Sequence, residues 1–115
     1  MDITLRPKVV YLTGDIHDEE SCLNFEEAEA TLNRRGFVVL SAARMPAALP
    51  AAKRFLLGKA CIEAADAVLF MSTHIDSEIV QAEDLHCFQS FVTSLHLSDR
   101  VGLMRAVKWL EEVTA

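Results

Sequence analysis

No apolar run in the chain approaches the ~20 residues that a membrane-spanning helix needs, and the opening MDITLRPK lacks the apolar core of a secretory signal. The expectation is a cytoplasmic protein with no membrane partner. Cysteine is sparse: Cys22, Cys61 and Cys87 are odd in number and form no CxxC pair, which points to buried free thiols in a reducing compartment. Positive charge is in the minority, 11 Lys and Arg against 17 Asp and Glu, for a net charge of −6. Nonspecific nucleic-acid binding rests on neutralising phosphates, so such a chain is a poor candidate for it. The few glycines match neither GxGxxG nor GxxxxGK[ST], so neither a dinucleotide fingerprint nor a P-loop is present.

What is there is an ordinary globular composition, 51% hydrophobic and 24% charged over 115 residues. That length is one domain, residues 1–115, and it buries roughly two-thirds of its unfolded surface without help from metal or disulfides. Charge is uneven. Arg34 to Lys59 holds six basic residues and no acid; Cys61 to Asp99 holds seven acids and no Lys or Arg. Such blocks decorate solvated faces, or, for the basic one, guide an anionic small molecule.

Strand and helix signals alternate, with no internal repeat. Lys8–Gly14 is a β-branched and aromatic run ending in Gly, the pattern of a strand buried on both faces. Asn24 with Glu27 reads as a capping box, followed by Phe25, Ala28 and Leu32 at helical spacing and by Gly36 as a left-handed stop. Phe37–Leu40 is a second strand. Pro50 opens a helix reaching Ala65, Ala67–Ser72 is a third strand, and a helix runs from near Ser77 to about Gln89. Phe91–Leu97 is the fourth strand, after which Ser98 or Asp99 caps a helix carrying Leu103, Val107, Leu110 and Val113. The alternation predicts an α/β fold: a three-layer Rossmann-like (flavodoxin-like) domain, its parallel sheet of about four strands covered by helices on both faces. Ligands of such sheets bind at the carboxyl ends of the strands, where the strand order reverses. Three loops are therefore of interest: 13–22, 41–49 and 72–80.

Tyr11, the single tyrosine, lies in the first strand and reads first as a packed residue whose phenol needs a hydrogen-bond partner. Gly14 permits a tight turn and close backbone approach. Ser77 stands at a helix start, where a hydroxyl caps and exposed amides favour an anion. Glu83 lies six residues on, either solvated or facing the strand ends. Asp15 with His17, and His74 with Asp76, are polar loop residues that a metal ion could in principle recruit; ordinary hydrogen bonding is the simpler reading, and no metal is expected. Leu85, Phe88 and Phe91 read as core, or else as a surface between copies of the chain.

Together VYLTG, then Phe25, Leu32 and Gly36 as F-x6-L-x3-G, then VVL, ADAVLF and S-x5-E resemble the nucleoside 2-deoxyribosyltransferase-like superfamily, in particular its short bacterial and phage members, over about residues 9–90. The resemblance implies N-glycosidic bond hydrolysis or deoxyribosyl transfer on a nucleoside or nucleoside monophosphate. It assigns Glu83 as nucleophile or acid–base group at the sugar C1′, Tyr11 as its hydrogen-bond partner and Ser77 as the grip on the 5′-phosphate. Gly14, Asp15, Ser41 and Asp76 fall at substrate-contacting loops. No metal or organic cofactor is called for, and a homodimer or higher homo-oligomer is implied. Departures are local: Ile79 and Val80 replace small residues after Ser77, Gly58 and Ala65 stand where the family often has aspartate and cysteine, Gly14-Asp15-Ile16 replaces G-P-M, and Ser41-Ala42 replaces N-P. They leave an alternative, a nucleotide-binding or protein-interaction module of the same fold with weakened chemistry.

Overall fold

A computed structural model describes residues 7–16, 19–71, 77–97 and 102–115. Nine elements follow in order among them: β1 (Val9–Thr13), α1 (Glu19–Arg34), β2 (Val38–Ser41), a 3-10 turn (Ala42–Arg44), α2 (Ala51–Ala64), β3 (Ala67–Phe70), α3 (Glu78–Gln89), β4 (Ser94–His96) and α4 (Leu103–Val113). The strands form one parallel sheet in the order β2-β1-β3-β4. This is the expected three-layer α/β arrangement. The chain runs one way from β1 to β2 and then reverses, passing β1 to reach β3 and β4. Right-handed crossovers therefore put α1 on one face and α2 and α3 together on the other. Consistent with this, α2 packs against α3, and Arg35 at the end of α1 bonds Glu111 of α4 at 3.2 Å.

The core follows from pattern. β1 and β3 are central strands, and Val10, Leu12 and Ala67 to Phe70 are fully buried. α1 contributes Phe25, Ala28 and Leu32, and α4 contributes Ala106, Val107 and Leu110, each set at helical spacing. Val113, expected on the same stripe, is exposed, and Thr114 is buried instead.

Boundaries differ from the sequence reading where local chemistry outweighs pattern. Asn24 is not a cap: α1 begins at Glu19, and Asn24 lies exposed inside it. α1 and α3 both end in the same six-residue closure. In the first, Phe37 N–H bonds Leu32 O at 3.1 Å around Gly36, whose φ is +89°; in the second, Val92 N–H bonds Cys87 O at 3.0 Å around Phe91, whose φ is +57°. Those closures consume Phe37, Phe91 and Val92, which is why β2 and β4 start later than expected. α4 takes Gly102 as its N-cap with no side-chain bond; Ser98 and Asp99 lie outside the described residues.

The side chains around the end of α3 that read as core, or else as a surface between copies, are not core. Leu85, Phe88 and Phe91 are 56, 81 and 95% exposed. Among the thiols Cys87 is buried, Cys61 half-buried and Cys22 exposed, so burial holds for one and only partly for a second. Among the described residues no helix is long and apolar enough to cross a membrane.

Candidate functional site

Three elements converge beneath the carboxyl ends of β1 and β3, where the strand order reverses. Tyr11 and Thr13, two apart on β1, project to the same side of the sheet, the side covered by α2 and α3. Val80, Glu83 and Cys87 form the buried stripe of α3, and Gly58 and Ile62 that of α2. Arg54 lies one turn before Gly58 on the same face.

These spacings focus on one carboxylate. Tyr11 Oη donates to Glu83 Oε2 at 2.6 Å, and Thr13 Oγ1 donates to Oε1 at 2.7 Å. Both distances are those of short hydroxyl–carboxylate bonds. Arg54 completes the group from above, its Nη1 at 3.4 Å from Oε2 and its Nη2 at 3.3 Å from Oε1 and 3.5 Å from Thr13 Oγ1. Charge-assisted N–H···O bonds are usually nearer 2.7–2.9 Å, so the guanidinium is the loosely held member. Tyr11, Thr13 and Glu83 are fully buried; the Arg54 side chain is 16% exposed. Burial, and next the Glu83 charge, hold the Tyr11 phenol well above its ordinary value of 10.0, so it remains a proton donor to Glu83 at any physiological pH.

Gly58 is what lets α2 lie this close. A methyl group there would overlap Glu83 Oε2 and come within 2.8 Å of Arg54 Nη1. Gly14, at φ +146°, occupies backbone space that disfavours other residues, and a Cβ on it would meet the Met71 backbone nitrogen at 3.2 Å.

Two adjoining hollows open above Arg54. One, of about 240 Å³, is lined by Gly14, Asp15 and Ile16 after β1, by Arg54, and by Ser77, Ile79 and Val80 at the start of α3. The other, of about 440 Å³, shares Ile16, Arg54 and Ile79 with it and is otherwise mainly apolar, with Met45, Pro46 and Leu49 from the loop after β2. Ligand sites commonly span roughly 300–1,000 Å³. Within the smaller hollow Ser77 Oγ accepts from Val80 N–H at 3.5 Å, and Ser77 N–H donates to Asp15 Oδ1 at 3.2 Å.

The structure thus brings Tyr11 and Glu83 together, and it places Gly14, Asp15 and Ser77 on the wall of one cavity. Ser41 lines neither of these two hollows. Its hydroxyl accepts from Ala43 N–H at 3.2 Å and starts the 3-10 turn, and it lines a third hollow with Phe25, Glu29 and Arg44, which shares Cys22 and Ala43 with the 440 Å³ one. Asp76 lies outside the described residues, as do His17 and His74, so three of the four residues weighed as metal ligands lie there too. Among the described residues no group of three His, Cys, Asp or Glu is placed to hold a metal ion. His86 and His96 sit apart from the site: His96 stacks on Phe70 and bonds Asp84 at 3.3 Å, and His86 bonds Glu63 at 3.3 Å.

Thr13 and Arg54 are the members the sequence reading missed. Thr13 follows from strand alternation, since residue 13 shares a face with residue 11. Arg54 belonged to the basic block, but that block is not one patch. Arg44 pairs with Glu29 at 2.7 Å, Arg35 reaches α4, and Lys59 lies over the Phe55 ring. Only its spacing of four from Gly58 marked Arg54 as inward-facing.

A family model described as "Domain of unknown function (DUF4406)" matches residues 8–91, and the chain belongs to that family. The match covers β1, β2 and β3 and ends just after α3, so it includes every residue of the Glu83 cluster. No curated protein and no solved structure matches.

Proposed function

We propose that this DUF4406 member acts on an N-glycosidic bond of a nucleoside or nucleoside monophosphate, by hydrolysis or by deoxyribosyl transfer. The observation that carries the reading is the 2.6 Å bond from Tyr11 to Glu83, a buried pair whose partner Arg54 lines both lobes of the cavity. The lobe with Asp15 and Ser77 suits a sugar, and the apolar lobe with Met45, Pro46 and Leu49 suits a flat base. The bond between sugar and base then lies over Arg54, one of the three residues the lobes share.

In this reading Arg54 swings off Glu83 when ligand enters, and the carboxylate faces C1′. A Glu83 oxygen forms a bond to C1′ as the C1′–N bond breaks, and the base leaves with the electron pair and takes up a proton from solvent. Water, or a second base, then attacks C1′ and frees the carboxylate. Tyr11 and Thr13 hold the two oxygens in place while Arg54 is away, Tyr11 as a neutral donor throughout. The chemistry calls on no metal and no organic cofactor.

A second reading has its own support: the same domain as a binding module. Glu83 is fully buried, and its four polar contacts are all internal, the arrangement of a structural ion pair as well as of a covered nucleophile. Incubating the protein with a panel of nucleosides and their monophosphates, and separating free base from substrate, tests the two. Base release supports the first reading. A raised thermal midpoint with a nucleoside and no base release supports the second, since ligand binding to the folded state alone is enough to stabilise it.

A further inference from the structure

The cavity's own acid bears on which end of a sugar it accepts. Asp15, 8% exposed, directs Oδ1 to the Ser77 amide at the start of α3. That is the place where a helix offers partial positive charge and N–H donors to an anion, and a carboxylate of the chain itself already uses it. The Ser77 hydroxyl is also engaged, as acceptor for Val80 N–H. Among the described residues lining this hollow, Asp15 and Arg54 are the charged ones, and Arg54 is drawn to the buried Glu83 behind it. The remaining wall there is apolar, from Ile16, Ile79 and Val80.

We infer that Asp15 is a specificity-determining residue that makes this lobe a site for an uncharged, hydroxyl-bearing sugar end and excludes a phosphate. The ligand's identity as a nucleoside rests on the function proposed above; the exclusion of phosphate rests on Asp15 alone. A phosphoryl group placed at the α3 start would meet a like charge at the amide it needs, and a desolvated like-charge contact is strongly unfavourable. A hydroxyl meets no such conflict and donates to the same carboxylate. Serine at position 77, which on the family resemblance suggests a grip on the 5′-phosphate, is here committed to capping its own helix.

Asp15→Asn separates charge from shape, because the amide oxygen still accepts from Ser77 N–H. Asp15→Ser serves as the second variant should the first fold poorly. Inorganic phosphate is titrated at constant ionic strength, made up with chloride, while the thermal midpoint and amide NMR shifts of Ser77 to Val80 are followed. A nucleoside and its 5′-monophosphate are then compared by calorimetry. The expected result is no saturable phosphate response in the wild type and a saturable one in Asp15→Asn. The wild type is also expected to bind the nucleoside at least ~10-fold more tightly than the monophosphate, a margin that shrinks in the variant. A phosphate response in Asp15→Asn alone, with no nucleoside binding to either protein, upholds the role of Asp15 and removes the proposed substrate. Saturable phosphate binding by the wild type at these amides, or no gain in either variant, overturns the inference.

Discussion

Gly58 and Glu83 are packed so closely that a Cβ on the glycine would overlap the carboxylate and lie 3.0 Å from its Cδ. The site is therefore built as much by the missing side chain on α2 as by the acid on α3. Replacing the glycine with alanine sets two effects against each other. Helix propensity favours alanine by about 1 kcal/mol, while forcing a methyl into filled space costs about 1–3 kcal/mol. Glu83 cannot retreat without losing its bonds to Tyr11 or Thr13, so the packing cost wins. Gly58→Ala should lower the thermal midpoint by several degrees, at about 4 °C per kcal/mol. In a Glu83→Ala background the same change should be neutral or stabilising. Equal effects in both backgrounds would show that the two residues are not coupled.

Burial makes the ion pair asymmetric. Removing Arg54 leaves a carboxylate buried without its cation, a loss of about 3–5 kcal/mol in comparable pairs. Removing the charge of Glu83 leaves Arg54, whose side chain already reaches solvent and can turn outward. Arg54→Met should therefore destabilise more than Glu83→Gln in urea unfolding. The reverse order would mean that the hydroxyls of Tyr11 and Thr13 satisfy Glu83 on their own.

The single tyrosine gives a clean optical probe of the site. Burial first, then Glu83, raise the Tyr11 phenol above 10.0 in the folded state, so the folded protein holds this proton more tightly than the unfolded chain does. The stability this group contributes is complete below about pH 10 and is lost as the pH rises past it. Cys87 acts with the same sign from about 9, its thiol pushed up to about 12 by burial and then by Asp84 and Glu83. Alkaline titration should show no phenolate absorbance until the protein unfolds. A reversible phenolate signal near pH 10 with the fold intact would contradict the burial of Tyr11.

The α3 closure contains a correctable strain. Phe91 sits at φ +57° in a position that glycine fills in the matching closure at Gly36, and left-handed backbone costs a non-glycine residue about 1–2 kcal/mol. Its ring is 95% exposed, so little packing is lost on removal. Phe91→Gly should raise stability by up to about 1 kcal/mol, after the greater entropy of glycine in the unfolded chain is subtracted. A lower midpoint would mean that the ring is held by a contact in solution.

The sequence showed as much of this site as short-range pattern can carry. Alternating strand and helix signals gave the layers, and strand-end loops gave Gly14, Asp15 and Ser77, because periodicity and turn chemistry are local. Glu83 and Tyr11 were paired by family resemblance. Their contact spans 72 positions, and nothing in the spacing alone produces it. Arg54 and Gly58 stayed hidden for the same reason: one looked like part of a charged surface, the other like a departure, and only packing of α2 on α3 reveals them as complementary. Ser41, at the carboxyl edge of the sheet, is turned by its loop into a local cap, a contact between near neighbours that the spacing alone did not single out.

The account depends on Glu83 being the group that meets the sugar once Arg54 moves aside. Base release from the best nucleoside of a panel, compared between the wild type and Glu83→Gln after both are shown to be folded, tests it most directly. The expected result is measurable release by the wild type and a loss of at least ~100-fold in Glu83→Gln, the scale expected of a group acting at the reacting atom. Release at an undiminished rate by Glu83→Gln would contradict it.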